Sequence, residues 1–492
     1  MTRILNTLDH SGQPGPITPI WLTIFGLVLA LVLGILIAFA PMLVSMALLG
    51  ILSLVLELCF PGILVFLLMV GYAWKDDSLS SLIRDFSGLP ISPSEIVLIV
   101  TISACLVNLA VGRRWKLPAR IPGLKAIGLL AAWAMLAAVQ GINYSLVETA
   151  RAAVPVYYAL FYFITIFFIR SWEQFKIALI CFVGGLVISL VFGFLPLPRA
   201  FWFLTPGAAG YVLIPIFLFL SVPAAIFSKR SRWFLLPCWG IGLSQIFLTD
   251  SRSTLVALVL TVLLFVLLNG RLRKLRWAHL KFFGVGVVVS LILGSAVYVF
   301  MPEKTARFAQ LTATIALNSS NSVTAGKVRT ASVRLLLWQA VMAEANQHPF
   351  YGIGLGTPWP GFALVDNPQS WWGSSGTENM SRLPYANPHN TYIHLLLRMG
   401  WIGMLLYVLV WGQILWTIHR QSLRINQPQV RLAVHVLWMS SLYLLIFTFF
   451  QPYIESPHIG LMPWVFTGTA AALINLSTRL DRPVAMQVQA EF

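Results

Sequence analysis

Residues 385–404 read YANPHNTYIHLLLRMGWIGM, and they open a long apolar run that contains ionisable side chains. His389 and Asn390 come directly before the run, whereas His394 and Arg398 lie within it. A charged side chain near the centre of a bilayer costs about 2.5–3.5 kcal/mol, so a residue of this type is normally retained for a function. His394 and Arg398 are four residues apart and share one face of a helix, which favours an internal polar contact between them.

The composition indicates a protein that crosses a membrane many times. Of the 492 residues, 58% are hydrophobic and 10% are charged, and the mean hydropathy is +0.82, which is too apolar for a soluble protein of this length. A span needs about 20 apolar residues. Such runs occur at 18–39, 41–59, 61–75, 92–111, 123–141, 147–169, 174–195, 207–227, 233–249, 253–268, 280–300, 390–418, 432–451 and 458–476. We therefore expect an all-α polytopic integral membrane protein with about 12–14 transmembrane helices, the first of them an uncleaved anchor.

The distribution of positive charge predicts the topology. The net charge is +17, and most of the 33 Lys and Arg residues fall in loops that lie on one side when the spans alternate. The positive-inside rule makes that side cytoplasmic, so the charge does not require a nucleic-acid partner. We expect a transmembrane bundle at 1–300, one large outer loop domain with an amphipathic helix at 301–389, and transmembrane helices with a short cytoplasmic tail at 390–492.

Several arginines lie on the outer side, against this charge bias. Arg252 is at the mouth of a span in LTDSRSTLVAL, and Arg334 and Trp338 are four residues apart on one face of the amphipathic helix. The planar guanidinium group suits diphosphate oxygens, and a diphosphate at the outer face would belong to a lipid-linked molecule. The alternative is that these arginines pair with nearby acidic residues or reach lipid headgroups.

The stretch HPFYGIGLGTPWPG, residues 348–361, is rich in glycine and proline. Gly352 and Gly354 resemble a phosphate-binding loop, but the stretch has neither the strand–turn–helix context nor the lysine of known nucleotide loops. We interpret it as a loop whose backbone approaches a ligand closely. For Trp359, Trp371 and Trp372 two roles are open, stacking on sugars or an aromatic belt at the membrane interface.

His389 is the candidate general base. We expect Asn387 to cap the helix and Pro388 to be its first residue, so that His389 and Asn390 lie in the first turn. The helix dipole there keeps an imidazole neutral and favours a nearby anion, which suits a base beside a phosphate. The alternatives are a structural histidine or a metal ligand, although His394 points about 140° away round the helix and is poorly placed to share a metal.

Three stretches in this order, LTDSRSTLVAL, RLLLWQAVMAEANQHPFYGIGLG and NPHNTYIHLLLRMGWIGM, resemble the O-antigen ligase and Wzy-type polysaccharide polymerase superfamily. The resemblance covers about residues 250–404 and includes a closing pair, Gly400 and Gly403. The chain departs from the family pattern at Ser253, where family members often have glycine, and at Arg398, where an acidic residue is common.

The resemblance implies a GT-C-like, multi-pass glycosyltransferase of the bacterial inner (plasma) membrane, with its active site facing the periplasm. The donor would be a glycan linked to undecaprenyl diphosphate. The acceptor would be lipid A-core in a ligase, or a second lipid-linked glycan in a polymerase, in lipopolysaccharide or exopolysaccharide biosynthesis. Transfer would be inverting and would need neither a metal ion nor another cofactor.

The resemblance also implies roles for individual residues. His389 would accept the proton of the acceptor, while Arg252 and Arg334 would hold the diphosphate leaving group. Further substrate contacts would come from Arg307, Asn390, Trp338, Gly352 and Gly354.

The alternative function is a polytopic transporter or a flippase for lipid-linked glycans. Transporters tend to have internal repeats and broken helices, whereas this sequence has one large outer loop and polar residues at span mouths.

Overall fold

The computed structural model of the protein describes residues 50–55, 93–110, 121–194, 215–221, 252–268, 337–359, 388, 390–450 and 457–480. Within these ranges the regular structure is α-helical and contains no strand, which confirms the all-α prediction for this part of the chain. Two compact units are distinguished, Met1–Leu56 and Glu57–Phe492. Residues 50–55 of the first unit are helical, and everything below concerns the second.

The helices follow most of the predicted spans that fall within the described residues. They are α1 (Pro93–Ala110), α2 (Leu124–Ile142), α3 (Leu146–Ala152), α4 (Val154–Tyr157), α5 (Ala159–Phe168), α6 (Trp172–Phe194), α7 (Arg252–Leu268), α8 (Thr391–Ser422), α9 (Pro428–Phe447), α10 (Pro457–Gly460) and α11 (Met462–Leu480). Residues 215–221 and 337–347 are also helical. The predicted spans at 18–39, 61–75, 233–249 and 280–300 lie outside the described residues.

Three described helices, α2, α8 and α9, are long and apolar enough to cross a membrane, or four if α3 to α5 count as one bent span. Helix α2 shows the pattern expected of a helix in lipid. Its buried positions, such as Leu130, are apolar, and its exposed positions, such as Leu129 and Met135, are apolar as well. The chain is therefore a membrane protein, while the total number of spans, the domain division at 300 and 389 and the GT-C likeness stay predictions.

The predicted span at 147–169 is wrong as a single helix. The chain is bent by 52° between Leu146–Ala152 and Val154–Phe168, and Pro155 occupies the first turn after the bend. A proline has no backbone N–H, and its ring collides with the carbonyl four residues earlier, so an α-helix does not continue through it. Hydropathy alone does not show this break, because the run stays apolar on average on both sides of Pro155.

The predicted span at 390–418 is interrupted too. Helix α8 consists of two helical segments that meet at Gly400, whose backbone angles of φ 68° and ψ −174° are not helical. The segment after the break, from Trp401 to Ser422, measures about 33 Å at about 1.5 Å per residue and is by itself long enough to cross a membrane. The segment before the break, Thr391 to Met399, is not needed for crossing.

Two hydrophobic clusters lie on either side of that first segment. The main cluster includes Leu395 and Met399 and extends through the bundle, where α11 packs against α5 and α9, and α8 packs against α2 and α9. The second, smaller cluster consists of Leu337, Val341, Trp359 and Leu397. The first segment of α8 therefore connects the membrane bundle to helix 337–347 and the loop that follows it.

Candidate functional site

Helix 337–347 confirms part of the amphipathic helix predicted at 328–345. Leu337, Val341 and Ala345, each four residues apart, are buried, whereas Gln339 and Asn346 are exposed. The spacing puts the apolar side chains on one face, and that face packs into the second cluster. Residues 328–336, including Arg334, lie outside the described residues.

The glycine-rich loop after this helix is closely packed against its neighbours. Gly352, Gly354 and Gly356 all have positive φ angles of 67°, 95° and 77°. A Cβ atom at Gly352 would come within 2.5 Å of the carbonyl oxygen of Leu397, and one at Gly356 within 2.4 Å of the amide nitrogen of Thr149. Only glycine combines this backbone conformation with so close an approach.

The loop supplies hydrogen-bonding partners to the two sides of the helix break at Gly400. Three backbone bonds make the connection, namely Ile353 N–H to Leu397 O at 2.9 Å, Gly354 N–H to Arg398 O at 3.1 Å and Trp401 N–H to Pro349 O at 2.8 Å. In a continuous helix, the carbonyl of Leu397 would instead accept from Trp401. The loop therefore satisfies backbone groups that the break would otherwise leave unpaired in an apolar environment.

Helices α2 and α3 hold the same loop and the same break. The indole N–H of Trp133 donates to the carbonyl of Met399 at 2.9 Å, and the hydroxyl of Thr149 donates to the carbonyl of Leu355 at 3.1 Å. The amide of Leu355 donates to the carbonyl of Ala137 at 3.0 Å. Trp133 and Thr149 were missed by sequence reasoning, because neither belongs to a motif and their partners are more than 200 residues away.

Arg398 is buried beside the break, and its guanidinium donates to the carbonyl of Thr357 in the loop. His394 is also buried and lies one turn earlier on the same segment, as the spacing predicted. The structure thus gives Arg398 a definite partner, which the sequence did not reveal. The bond satisfies a carbonyl that would be costly to leave unpaired.

These contacts bear on the predicted ligand role of the loop. The amide of Gly352 donates to the carbonyl of His348 at 3.0 Å, and the amide of Gly354 donates to the backbone carbonyl of Arg398. Both N–H groups are therefore engaged within the protein. The glycines serve close packing in this structure, and a contact of Gly352 or Gly354 with a ligand stays a prediction.

Trp359 does not have the role that was predicted for it. Its side chain is 2% exposed and packs in the second cluster with Leu337 and Leu397. Neither ring face is open to a sugar or to the membrane interface, so both interpretations are wrong for this residue. Trp371 and Trp372 lie outside the described residues.

Asn390, not Asn387, is the N-cap of α8. Its side-chain oxygen accepts from the amides of Tyr392 at 2.9 Å and Ile393 at 3.1 Å, and the helix begins at Thr391. The prediction that the helix begins at Pro388 and contains Asn390 in its first turn is therefore wrong. Asn390 is fully buried, and among the described residues no group accepts a hydrogen bond from its Nδ2.

Trp338 lies against the segment that leads into α8. Its indole N–H donates to the carbonyl of Pro388 at 2.9 Å, and its ring meets Phe449 edge-on, with 5.9 Å between centroids and 69° between planes. Helix 337–347 is thereby bonded to the residue that directly precedes His389 in the sequence.

Only part of the predicted site falls within the described residues. Arg307, Arg334 and His389 lie outside them, and Arg252 begins α7 but its side chain is not described. The predicted meeting of these four side chains therefore stays a prediction. The structure does bond Trp338 to Pro388, the residue before position 389. It also makes Asn390, the residue after that position, the N-cap of α8.

A metal site is not evident in the part of the chain that the structure describes. Among those residues, no group of three or more His, Cys, Asp or Glu side chains is arranged to hold a metal ion. Glu344 lies 3.8 Å from the Nε2 atom of His348, an isolated pair on helix 337–347 and the loop. Metal independence stays a prediction.

A known protein family resembles the part of the chain that contains these elements. Residues 239–408 match the family model Wzy_C, described as O-antigen ligase. A search of curated proteins found no match. The matched range includes α7, helix 337–347, the glycine-rich loop and α8 through its break. Residues 239–408 are therefore similar to the O-antigen ligase domain Wzy_C, which supports the resemblance to the O-antigen ligase and Wzy-type polymerase superfamily.

Proposed function

We propose that this protein transfers a glycan from undecaprenyl diphosphate to an acceptor hydroxyl at the periplasmic face of the bacterial inner membrane. It would act as an O-antigen ligase or as a polysaccharide polymerase. The observation that carries the proposal is the Wzy_C match, because residues 239–408 contain all the residues selected for the reaction. A histidine and three arginines supply the base and the positive charge that transfer from a diphosphate needs, and the family match supports the same chemistry.

The proposed reaction is a direct displacement. The acceptor oxygen attacks the anomeric carbon of the donor, the bond from that carbon to the diphosphate oxygen breaks, and the diphosphate leaves with the electron pair. His389 accepts the hydroxyl proton, so a neutral imidazole becomes charged as the bond forms. Arg252 and Arg334, with Arg307, neutralise the departing diphosphate. Attack opposite the leaving group inverts the anomeric centre.

The break in α8 suggests where the site lies relative to the membrane. The segment from Trp401 onward is long enough to cross alone, and exposed aromatic side chains surround the break, namely Phe350, Tyr351 and Trp401. Exposed aromatic residues are typical of the membrane–water interface. We therefore propose that Gly400 lies near the outer boundary of the hydrocarbon. Arg398 and His394 would then lie at the interface and not at the bilayer centre, which removes most of the cost of keeping them.

This depth suits a lipid-linked donor. The polyprenyl tail of such a donor occupies the hydrocarbon, and its diphosphate lies at the level of the headgroups. The first segment of α8 and helix 337–347 would lie at the level of the lipid headgroups. The residues that precede His389 would lie there as well. The diphosphate and the candidate base would therefore meet at one depth.

A transporter or flippase remains the second candidate because of the broken helices. Transporters tend to contain interrupted spans near their substrate sites, and this chain has a bend after Ala152 and a break at Gly400. Interrupted helices therefore do not separate this chain from a transporter. The Wzy_C match favours the transferase, and the two functions differ in whether the donor is consumed.

The test is a reconstitution of the purified protein in liposomes with radiolabelled undecaprenyl-diphosphate-linked glycan. One arm adds lipid A-core, one adds a second lipid-linked glycan, and one adds no acceptor. Transfer to lipid A-core would identify a ligase, and chain extension would identify a polymerase. Movement of intact donor across the bilayer, with no glycosylated product in any arm, would contradict the proposal and support the flippase.

A further inference from the structure

We infer that Trp338 is a positioning residue for His389, acting through the hydrogen bond from its indole N–H to the carbonyl of Pro388. The inference rests on the proposed function, in which His389 is the general base. It replaces the predicted substrate contact of Trp338 with a different role, in which the side chain orients the base without touching the substrate.

The bond joins two parts of the chain that are 50 residues apart, over 2.9 Å between Nε1 and the carbonyl oxygen. Pro388 is buried, so its carbonyl has little access to water as an alternative partner. The ring of Trp338 is also held from the side by Phe449. Leu337 and Val341 pack the same helix into the second cluster, and this packing restricts movement of the helix that carries Trp338.

The other side of His389 is fixed independently. Asn390 caps α8 through its side-chain oxygen, and the amide of Thr391 donates to the carbonyl of Thr448 at 3.2 Å. His389 is thus one residue between two anchored neighbours. Adjacent Cα atoms are about 3.8 Å apart, so two anchored residues on either side of one position restrict the conformations open to that position. The bond from Trp338 supplies the anchor on the Pro388 side.

Positioning and substrate contact predict different kinetics. If Trp338 orients the base, its loss should lower kcat while the donor still binds, since misplacement by about 1 Å can cost about 100-fold in rate. If Trp338 contacts the glycan in the ground state and the transition state alike, its loss should raise KM and leave kcat unchanged.

The first test compares Trp338→Phe with Trp438→Phe. The control tryptophan also donates its indole N–H to a backbone carbonyl, that of Leu415 at 2.9 Å, in the contact between α8 and α9. We expect Trp338→Phe to lower kcat by about 10- to 100-fold with donor KM nearly unchanged. We expect Trp438→Phe to keep the kcat of the wild type. An equal loss of kcat in both variants would overturn the inference, as would wild-type kcat in Trp338→Phe.

A second variant separates the N–H group from the ring. Incorporation of 3-benzothienylalanine at position 338 keeps a bicyclic ring of nearly the same shape and replaces N–H by sulfur, so packing against Phe449 is retained. We expect the same loss of kcat as in Trp338→Phe. Wild-type kcat in this variant, or a raised donor KM with unchanged kcat, would assign Trp338 to packing or to substrate binding and overturn the inference.

A His389→Ala arm distinguishes failure of the inference from failure of the proposed function. If His389→Ala is inactive and both variants at position 338 have wild-type kcat, the positioning role alone is wrong. If His389→Ala turns over as the wild type does, the proposed base is wrong, and the positioning role fails with it.

Discussion

The amide of Gly354 donates to the carbonyl of Arg398 over 3.1 Å, so a residue of the glycine-rich loop bonds directly to the turn that precedes the helix break at Gly400. Unpaired backbone groups are costly in an apolar environment, and a broken helix exposes them. The loop is therefore part of what makes the break possible. Loop and break belong to the same matched domain and form one structural unit.

Gly400→Ala should destabilise the protein, and Gly412→Ala should not. Gly400 has a φ of 68°, and a Cβ atom there would lie 2.4 Å from the carbonyl oxygen of Phe350, whereas a Cβ atom at Gly412 in the same helix has nothing within 4 Å. Strain of this kind costs about 1–3 kcal/mol. Thermal unfolding in detergent, followed by tryptophan fluorescence, measures the difference. Equal melting temperatures for the two variants would contradict the proposed unit of loop and break.

Arg398→Met should loosen the glycine-rich loop, because it removes the guanidinium donor from the carbonyl of Thr357. Leaving that carbonyl without a donor costs about 1–3 kcal/mol. Arg424→Met is the control, since Arg424 is exposed beyond the other end of α8. We expect faster chymotrypsin cleavage at Phe350 and Tyr351 in the first variant alone, with the cut sites identified by mass spectrometry. Unchanged cleavage would mean that Arg398 does not hold the loop.

Spans were predictable from hydropathy, and the break at Gly400 was not. The apolar run at 123–141 located α2, which is Leu124–Ile142, because a helix in lipid must be apolar over its whole length. The break at Gly400 depends on partners at 349–354, which no local pattern around Gly400 specifies. The bend before Pro155 was visible in the sequence as a proline within a helical run.

The contacts that Asn390 and Trp338 make were not predictable from the sequence. Asn387 and Asn390 are equally good caps by residue type. In the structure Asn390 is the cap, and the next residue, Thr391, donates its amide to the carbonyl of Thr448, far along the chain. The spacing of Trp338 predicted its helix face, whereas its partner Pro388 was not inferable from spacing. Long-range hydrogen bonds of this kind join residues that are distant in the sequence, so they become visible only when the fold is known.

Arg252→Lys and Arg334→Lys should each reduce transfer, although both keep the positive charge. Lysine is a point charge and lacks the planar fork that binds two diphosphate oxygens at once. Arg424→Lys serves as the control and should behave as the wild type. Steady-state kinetics with varied donor concentration measures the effect. Normal donor KM and kcat in both variants would mean that these arginines contribute at most a long-range charge.

Transfer should persist undiminished in excess EDTA. The acidic candidates for metal ligands at the outer face are scattered and no two of them are adjacent, namely Asp250, Glu344, Asp366, Glu378 and Glu455. Magnesium usually reaches phosphates through one or two carboxylates, and we expect arginine to supply the neutralising charge in its place. The activity assay is repeated after chelation and again after magnesium or manganese is added. Activity that is lost in EDTA and restored by either metal would contradict this prediction.

The most direct test of the account is the rate of glycan transfer by His389→Ala in the reconstituted assay, beside His348→Ala as the matched histidine control. We predict that transfer falls to background in His389→Ala, with expression and melting temperature near those of the wild type, while His348→Ala keeps its activity. Transfer by His389→Ala at the wild-type rate would contradict the central claim that this histidine is the general base of the reaction.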